Sequence, residues 1–196
     1  LGGTYSIENG TKGGGFHFNY GYSCNIQNVD LSGMDYYGGL LLQRSAFINV
    51  SENFIHDGQN MVSGGDQGFG MYLDESCQNI TVSNNRFQNY NQNSFTNGSR
   101  YIVFSGNACS GIIDNAVNTH GAGVSNVVIS NNVIDGSSQY GIAIGFSTHN
   151  AADYNITVVG NSLRNIKYSG ITSNAPVGKE NYDILISNNS VFNSAI

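Results

Sequence analysis

"VVISNNVI", residues 127–134, decides the fold. It reads apolar, gap, apolar, two small polar residues, Asn, gap, apolar. The same pattern recurs as "INVSENFI" (48–55), "ITVSNNRF" (80–87), "IVFSGNAC" (102–109), "ITVVGNSL" (156–163) and "ILISNNSV" (184–191). Aligned on the Asn, the copies form a ladder: Asn53, Asn85, Asn107, Asn132, Asn161 and Asn189, spaced 32, 22, 25, 29 and 28 residues apart.

Three apolar columns travel with the ladder. Ile48, Ile80, Ile102, Val127, Ile156 and Ile184 lie five residues before the Asn, and Val50, Val82, Phe104, Ile129, Val158 and Ile186 three before. Ile55, Phe87, Cys109, Ile134, Leu163 and Val191 lie two after. The first two columns are two residues apart and rich in β-branched side chains, the signature of a strand. A second strand opens nine residues after the Asn at Ser94, Ala116, Gly141 and Gly170, and later, at Gly70, after Asn53. "GLLLQ" (39–43) is its counterpart one coil earlier.

No helical period competes. Repeats of this length, with short strands and stacked Asn and aliphatic residues, describe an all-β fold, a right-handed single-stranded parallel β-helix. About seven coils at ~4.8 Å each make a rod ~34 Å long. An inward Asn at a tight turn both donates and accepts, so the ladder is read as structural support for turn backbone. The whole chain, 1–196, reads as one β-helix domain, with 1–38 a less regular first coil and 39–196 the ladder repeats. The next strand would start beyond Ile196, so the sequence reads as a piece of a longer chain that stops mid-coil.

Composition narrows the function. Charged residues are only 10% of the chain, with one Pro, no Trp and 26 Gly, and the net charge is −6. There is no basic surface to neutralise phosphates, so nucleic acid is not an expected partner. No apolar run is long enough for a membrane span. Cys24, Cys77 and Cys109 are widely spaced and odd in number, giving neither a disulfide framework nor a zinc signature. No metal and no cofactor is expected.

In the second strand, alternation points residues one and three after the opener inward, and two and four outward. The outward fourth position reads Gln43, Asp74, Gly98, His120, Gly145 and Asn174, and Tyr72 and Asn118 fall in the adjacent outward row. Asp74 and His120 thus share a row, two coils and roughly 9–10 Å apart, with Gly98 between them. The variable segments 57–69, 145–155 and 174–182 flank this one strand, while the other strands keep a strict length. Insertions beside one strand of a rigid scaffold make the walls of a groove.

These repeats resemble the pectate-lyase-like β-helix superfamily. "VNTHG" (117–121) resembles the Asp-x-His-Gly turn of phage tailspikes and capsule depolymerases, with Asn118 in place of the acid. The resemblance implies a tailspike-type glycan depolymerase. Such a protein is a homotrimer, on a virion tail or secreted, that binds and cleaves a bacterial capsule or O-antigen polysaccharide. Glycoside hydrolysis uses two carboxylates, for which the candidates are Asp74 with Asp66, and Glu75. Tyr72, Asn118, Arg44, Arg100, His149 and Asn174 are the candidate sugar contacts. A lyase is the alternative: His120 or Tyr72 abstracts a proton beside a uronate, and Arg44 or Arg100 neutralises the carboxylate. A third reading is a non-catalytic, glycan-binding or structural section of a fibre, because Asp74 is the lone carboxylate at the outward strand positions.

Overall fold

The computed structural model describes residues 3–6, 15–33, 38–58, 68–120, 123–145, 151–175 and 177–194. Within them every strand pairing is parallel, and strands join across coils into three sheets, here A, B and C. Sheet A has eight strands and sheets B and C seven each. One coil shows the path. Ser125–Ser130 runs in sheet C, Val133–Ser137 in A, Ile142–Ile144 in B, and Tyr154–Val159 re-enters C beside the starting strand. This is the right-handed parallel β-helix read from the repeats, and the handedness is the one parallel crossovers adopt. Among the described residues there is no helix.

The ladder works as a chain of amide bonds. Asn107 donates Nδ2–H to the carbonyl of Val82 in the previous coil (3.0 Å) and to Asn132 Oδ1 in the next (3.1 Å). Its backbone N–H also donates to Asn132 Oδ1, at 2.9 Å. Each Asn therefore satisfies a turn that the stacked coils seal from water, where an unpaired backbone group costs about 1–3 kcal/mol. The stack reaches below the first Asn. Val29 fills the ladder position of an earlier coil, and its N–H donates to Asn53 Oδ1 at 3.0 Å. Valine has no side-chain amide, so the motif cannot be seen there in the sequence.

The residue before the ladder turns left-handed, with φ of 54° to 56° at Asn28, Asn84, Asn131 and Asn188. Asparagine tolerates this region better than other side chains with a Cβ, which explains the Asn-Asn pairs of the repeat. Inside, the three apolar columns form one continuous core with the inward residues of sheet B, up to the last coil, where Ile186 and Val191 are exposed. Phe87 and Phe104 stack at 5.9 Å, and Phe95 packs against Phe104 at the same distance.

Candidate functional site

Sheet B is unlike the other two on its outer side. Outward residues of sheets A and C lie open, as at Val133 (47% exposed) and Leu185 (55%). On sheet B, Ser94 and Thr96 are 1% exposed and Asn118 2%. Tyr72, Gln43 and His120 are half-buried. The outward face is thus covered at Ser94, Thr96 and Asn118 and half-open at Tyr72, Gln43 and His120. Part of the screen is visible: the Phe69 ring packs on Tyr72 at 4.7 Å. Gln92 reaches over the floor and accepts from Asn118 Nδ2 at 3.1 Å.

The rows differ from the count along the sequence at one coil. Tyr72 pairs with Ser94 and Ser94 with Asn118, while Thr96 pairs with His120. Thr96, not Gly98, therefore separates Asp74 from His120. The cause is a short connection. The sheet B strand starts at Asn93, eight residues after Asn85, but at Val117 and Ile142, ten after Asn107 and Asn132. A slip of two preserves the face, so Asp74 and His120 still share an outward row. Gly98 instead sits in the turn that follows, with φ 75°.

Asp74 is 8% exposed and surrounded by donors. Its Oδ1 accepts from Thr96 Oγ1 (2.7 Å) and Asn97 Nδ2 (2.6 Å), and its Oδ2 from Gln43 Nε2 (3.3 Å). Gln43 Oε1 in turn meets His17 Nε2 at 2.8 Å. A polar line so crosses four coils, from His17 to Thr96. Glu75 turns away from Asp74 through a left-handed backbone, φ 51°, and pairs with Arg44. Arg44 also lies over the Tyr20 ring, 5.4 Å from its centre.

Asn118 has one buried atom of special interest. Its Nδ2 is used on Gln92, yet Oδ1 is sealed from solvent with no hydrogen-bond donor. Buried acceptors are nearly always paired, and this oxygen on the covered outward face is an exception, as are Asn93 Oδ1 and Ser99 Oγ elsewhere.

The other candidates lie apart. Arg100 opens a sheet C strand beyond the Asn97–Gly98 turn and donates to Gln78 at 3.4 Å. Asn174 is exposed two coils beyond His120, and its N–H donates to the Ile144 carbonyl at 2.8 Å. Asp66 and His149 lie outside the described residues. No cluster of three or more His, Cys, Asp or Glu able to hold a metal occurs among the described residues.

Three carboxylates, Asp153, Asp30 and Asp57, escaped the sequence. Asp153 is fully buried, and burial pushes its carboxyl up to about 6, against the Thr119 hydroxyl and the N–H groups of Val124 and Gly145, which favour the charged form. It lies below the strand end that carries His120, since Thr119 is that strand's inward neighbour. Val124 N–H donates to Asp153 Oδ1, and Asp153 N–H donates to Asn181 Oδ1, both at 3.0 Å. On the open face of sheet A, His56 bridges Asp30 (2.9 Å) and Asp57 (2.8 Å) and stacks on Phe54 at 3.9 Å. The Asn89 amide and then His56 hold Asp57 below its ordinary value.

No protein-family model matches the sequence, and no curated protein matches it. A solved structure does match. The fold resembles that of a periplasmic alginate epimerase. The crystal structure of a double mutant of that enzyme, AlgG, aligns with 92% of this chain at a TM-score of 0.60 and 13% identity. This chain spans 46% of that one, about half its length. At that identity the likeness is one of fold. No helix among the described residues is long and apolar enough to cross a membrane.

Proposed function

We propose that the outer face of sheet B binds a polysaccharide and that the protein processes it. The observation that carries this reading is the polar floor of sheet B, sealed where the outward faces of sheets A and C are open, with the Asn118 oxygen left unpaired. Tyr72 offers a ring face at the rim, and the half-buried His120 lies two coils from Asp74 on the same outward row. Fold likeness to an enzyme that acts on alginate adds general support for a carbohydrate role.

The activity proposed first is tailspike-type cleavage of a bacterial capsule or O-antigen glycan, with Asp74 as one carboxylate and Asp66 as its partner. On this reading the protein works on a virion tail or secreted, as a homotrimer. A second reading has a specific observation behind it. Among the described outward positions of sheet B, Asp74 is the lone carboxylate, and Thr96, Asn97 and Gln43 already surround it. Hydrolysis uses two carboxylates, whereas abstraction of a proton beside a uronate needs one base, a role open to the half-buried His120.

Reducing-end release from a panel of capsule, O-antigen and uronate polymers tests both. Hydrolysis yields new reducing ends without absorbance near 235 nm, and β-elimination yields both. Loss of hydrolysis in Asp74→Asn supports the first reading, and unchanged hydrolysis in that variant overturns its assignment. No binding to any member of the panel overturns the proposal as a whole.

A further inference from the structure

The left-handed residue four places after each ladder position forms a row of its own: Gly33, Asp57, Asn89, Gly111, Gly136, Asn165 and Asn193. Most of it is filled by short polar side chains that bond to one another. Asn89 donates to Asp57 at 2.7 Å and Asn193 to Asn165 at 3.3 Å. At two successive coils, Gly111 and Gly136, there is no side chain. A cavity of about 510 Å³ opens there, on the corner between sheets A and B. That volume is within the roughly 300–1,000 Å³ of small-ligand sites.

The walls have a consistent chemistry. Asn165 and Asn193 line it with amides that bond to one another, Asn165 also donating to Asp135 Oδ1 at 2.8 Å, while Ser138 adds a hydroxyl and Lys167 a cation. The Lys167 ammonium lies 5.1 Å from the centre of the Tyr168 ring, and Tyr168 pairs with Tyr140 at 5.8 Å. Tyr168 is exposed, and Lys167 forms no ion pair among the described residues. A half-exposed aromatic ring beside the cavity, a wall hydroxyl and a cation without a counter-ion describe a site for a ring that carries hydroxyls and an anionic group.

We propose that this corner is a second saccharide site, selective for an acidic sugar, with its carboxylate at Lys167 and its ring against Tyr168. It stands on residues separate from the sheet B face, but takes from the reading above that the protein handles glycans.

The test is two-dimensional amide NMR titration with trigalacturonate as the acidic probe and maltotriose as the neutral one. The row itself indicates the blocking variant. Gly136→Asn places in the notch the residue that the same left-handed row carries at 89, 165 and 193, and a Cβ there meets only Gly111 N, at 3.8 Å. Lys167→Gln removes the charge without touching the backbone. The expected result is fast-exchange shifts at Gly111, Gly136 and Lys167 with trigalacturonate. Affinity should fall at least tenfold for maltotriose, for Lys167→Gln and for Gly136→Asn, with the unfolding midpoint of Lys167→Gln unchanged. Shifts confined to Asn118 and His120 overturn this site and leave the sheet B reading standing. So does equal binding of both probes at the corner, or unchanged affinity in Lys167→Gln. Absence of shifts anywhere overturns this site, and the sheet B reading is then decided separately by its polymer panel.

Discussion

At Asp153 a carboxylate occupies the place that an amide, Asn181, holds one coil later. Burial raises its pKa from 3.8 to about 6. The folded state therefore binds more protons than the unfolded chain between those values, and stability falls as pH rises from about 4 to about 6. Above that window the penalty is constant, at most roughly 3 kcal/mol for a shift of about two units. Asp153→Asn, which restores the amide, should raise stability at pH 7.5 by about 1–3 kcal/mol and flatten the profile between pH 4 and 6. Urea unfolding at several pH values checks it, and an unchanged profile would contradict the account. A second residue-scale expectation concerns the ladder. Asn107→Ala removes the amide that holds Val82 O and the acceptor that serves Asn85 N–H. It should cost about 2–3 kcal/mol, read in the same unfolding assay, whereas Asn165→Ala, at an exposed position of the Ser162–Ile166 strand, should cost far less.

Strands and turns were legible to different degrees. The sheet C and sheet A strands follow directly from the octet, because each coil must present the same residue types to the coils above and below. The sheet B strand was legible in its face but not in its full register. Between Asn85 and Asn93 the connection is two residues shorter than in later coils, and no apolar column crosses it to reveal the change. Burial on the outward side was not legible at all. Asn118 reads as an outward surface residue from alternation, yet it is sealed together with its row neighbours Ser94 and Thr96, because cover over a sheet comes from segments distant in sequence. Asp153 was missed for a related reason: it follows a connection of variable length, so it aligns with nothing by spacing. At this scale, Asn118→Leu should weaken glycan binding at least tenfold, an effect on the order of 1.4 kcal/mol, with little net loss of stability, since removal of a buried unpaired oxygen offsets the lost bond to Gln92. Isothermal titration beside thermal melts separates the two effects. His120→Ala should reduce turnover about 10²–10⁴-fold if His120 transfers the proton, while leaving binding within a few-fold.

Across the whole molecule, the fold supplies rigidity and the sheets divide the labour. Sheet C keeps six-residue strands throughout, sheet A varies from three to five residues, and both have open outer faces, whereas sheet B carries the variable connections and the closed polar face. A solenoid whose coils each contact only their neighbours distributes its stability along the rod, so a face on one sheet can vary while the ladder stays fixed. Likeness to an alginate epimerase at 13% identity illustrates that separation, since the coil architecture is shared where little sequence is. The central claim is that the outward face of sheet B is where the glycan lies. A crystal structure with an oligosaccharide that the protein binds tests it most directly. The account predicts that the cover over Ser94 and Asn118 is displaced and that sugar density lies across the Tyr72, Ser94 and Asn118 row, with a hydroxyl donating to Asn118 Oδ1 and His120 within reach of the ring. Density lying on sheet C, with the sheet B floor unchanged and closed, would contradict it.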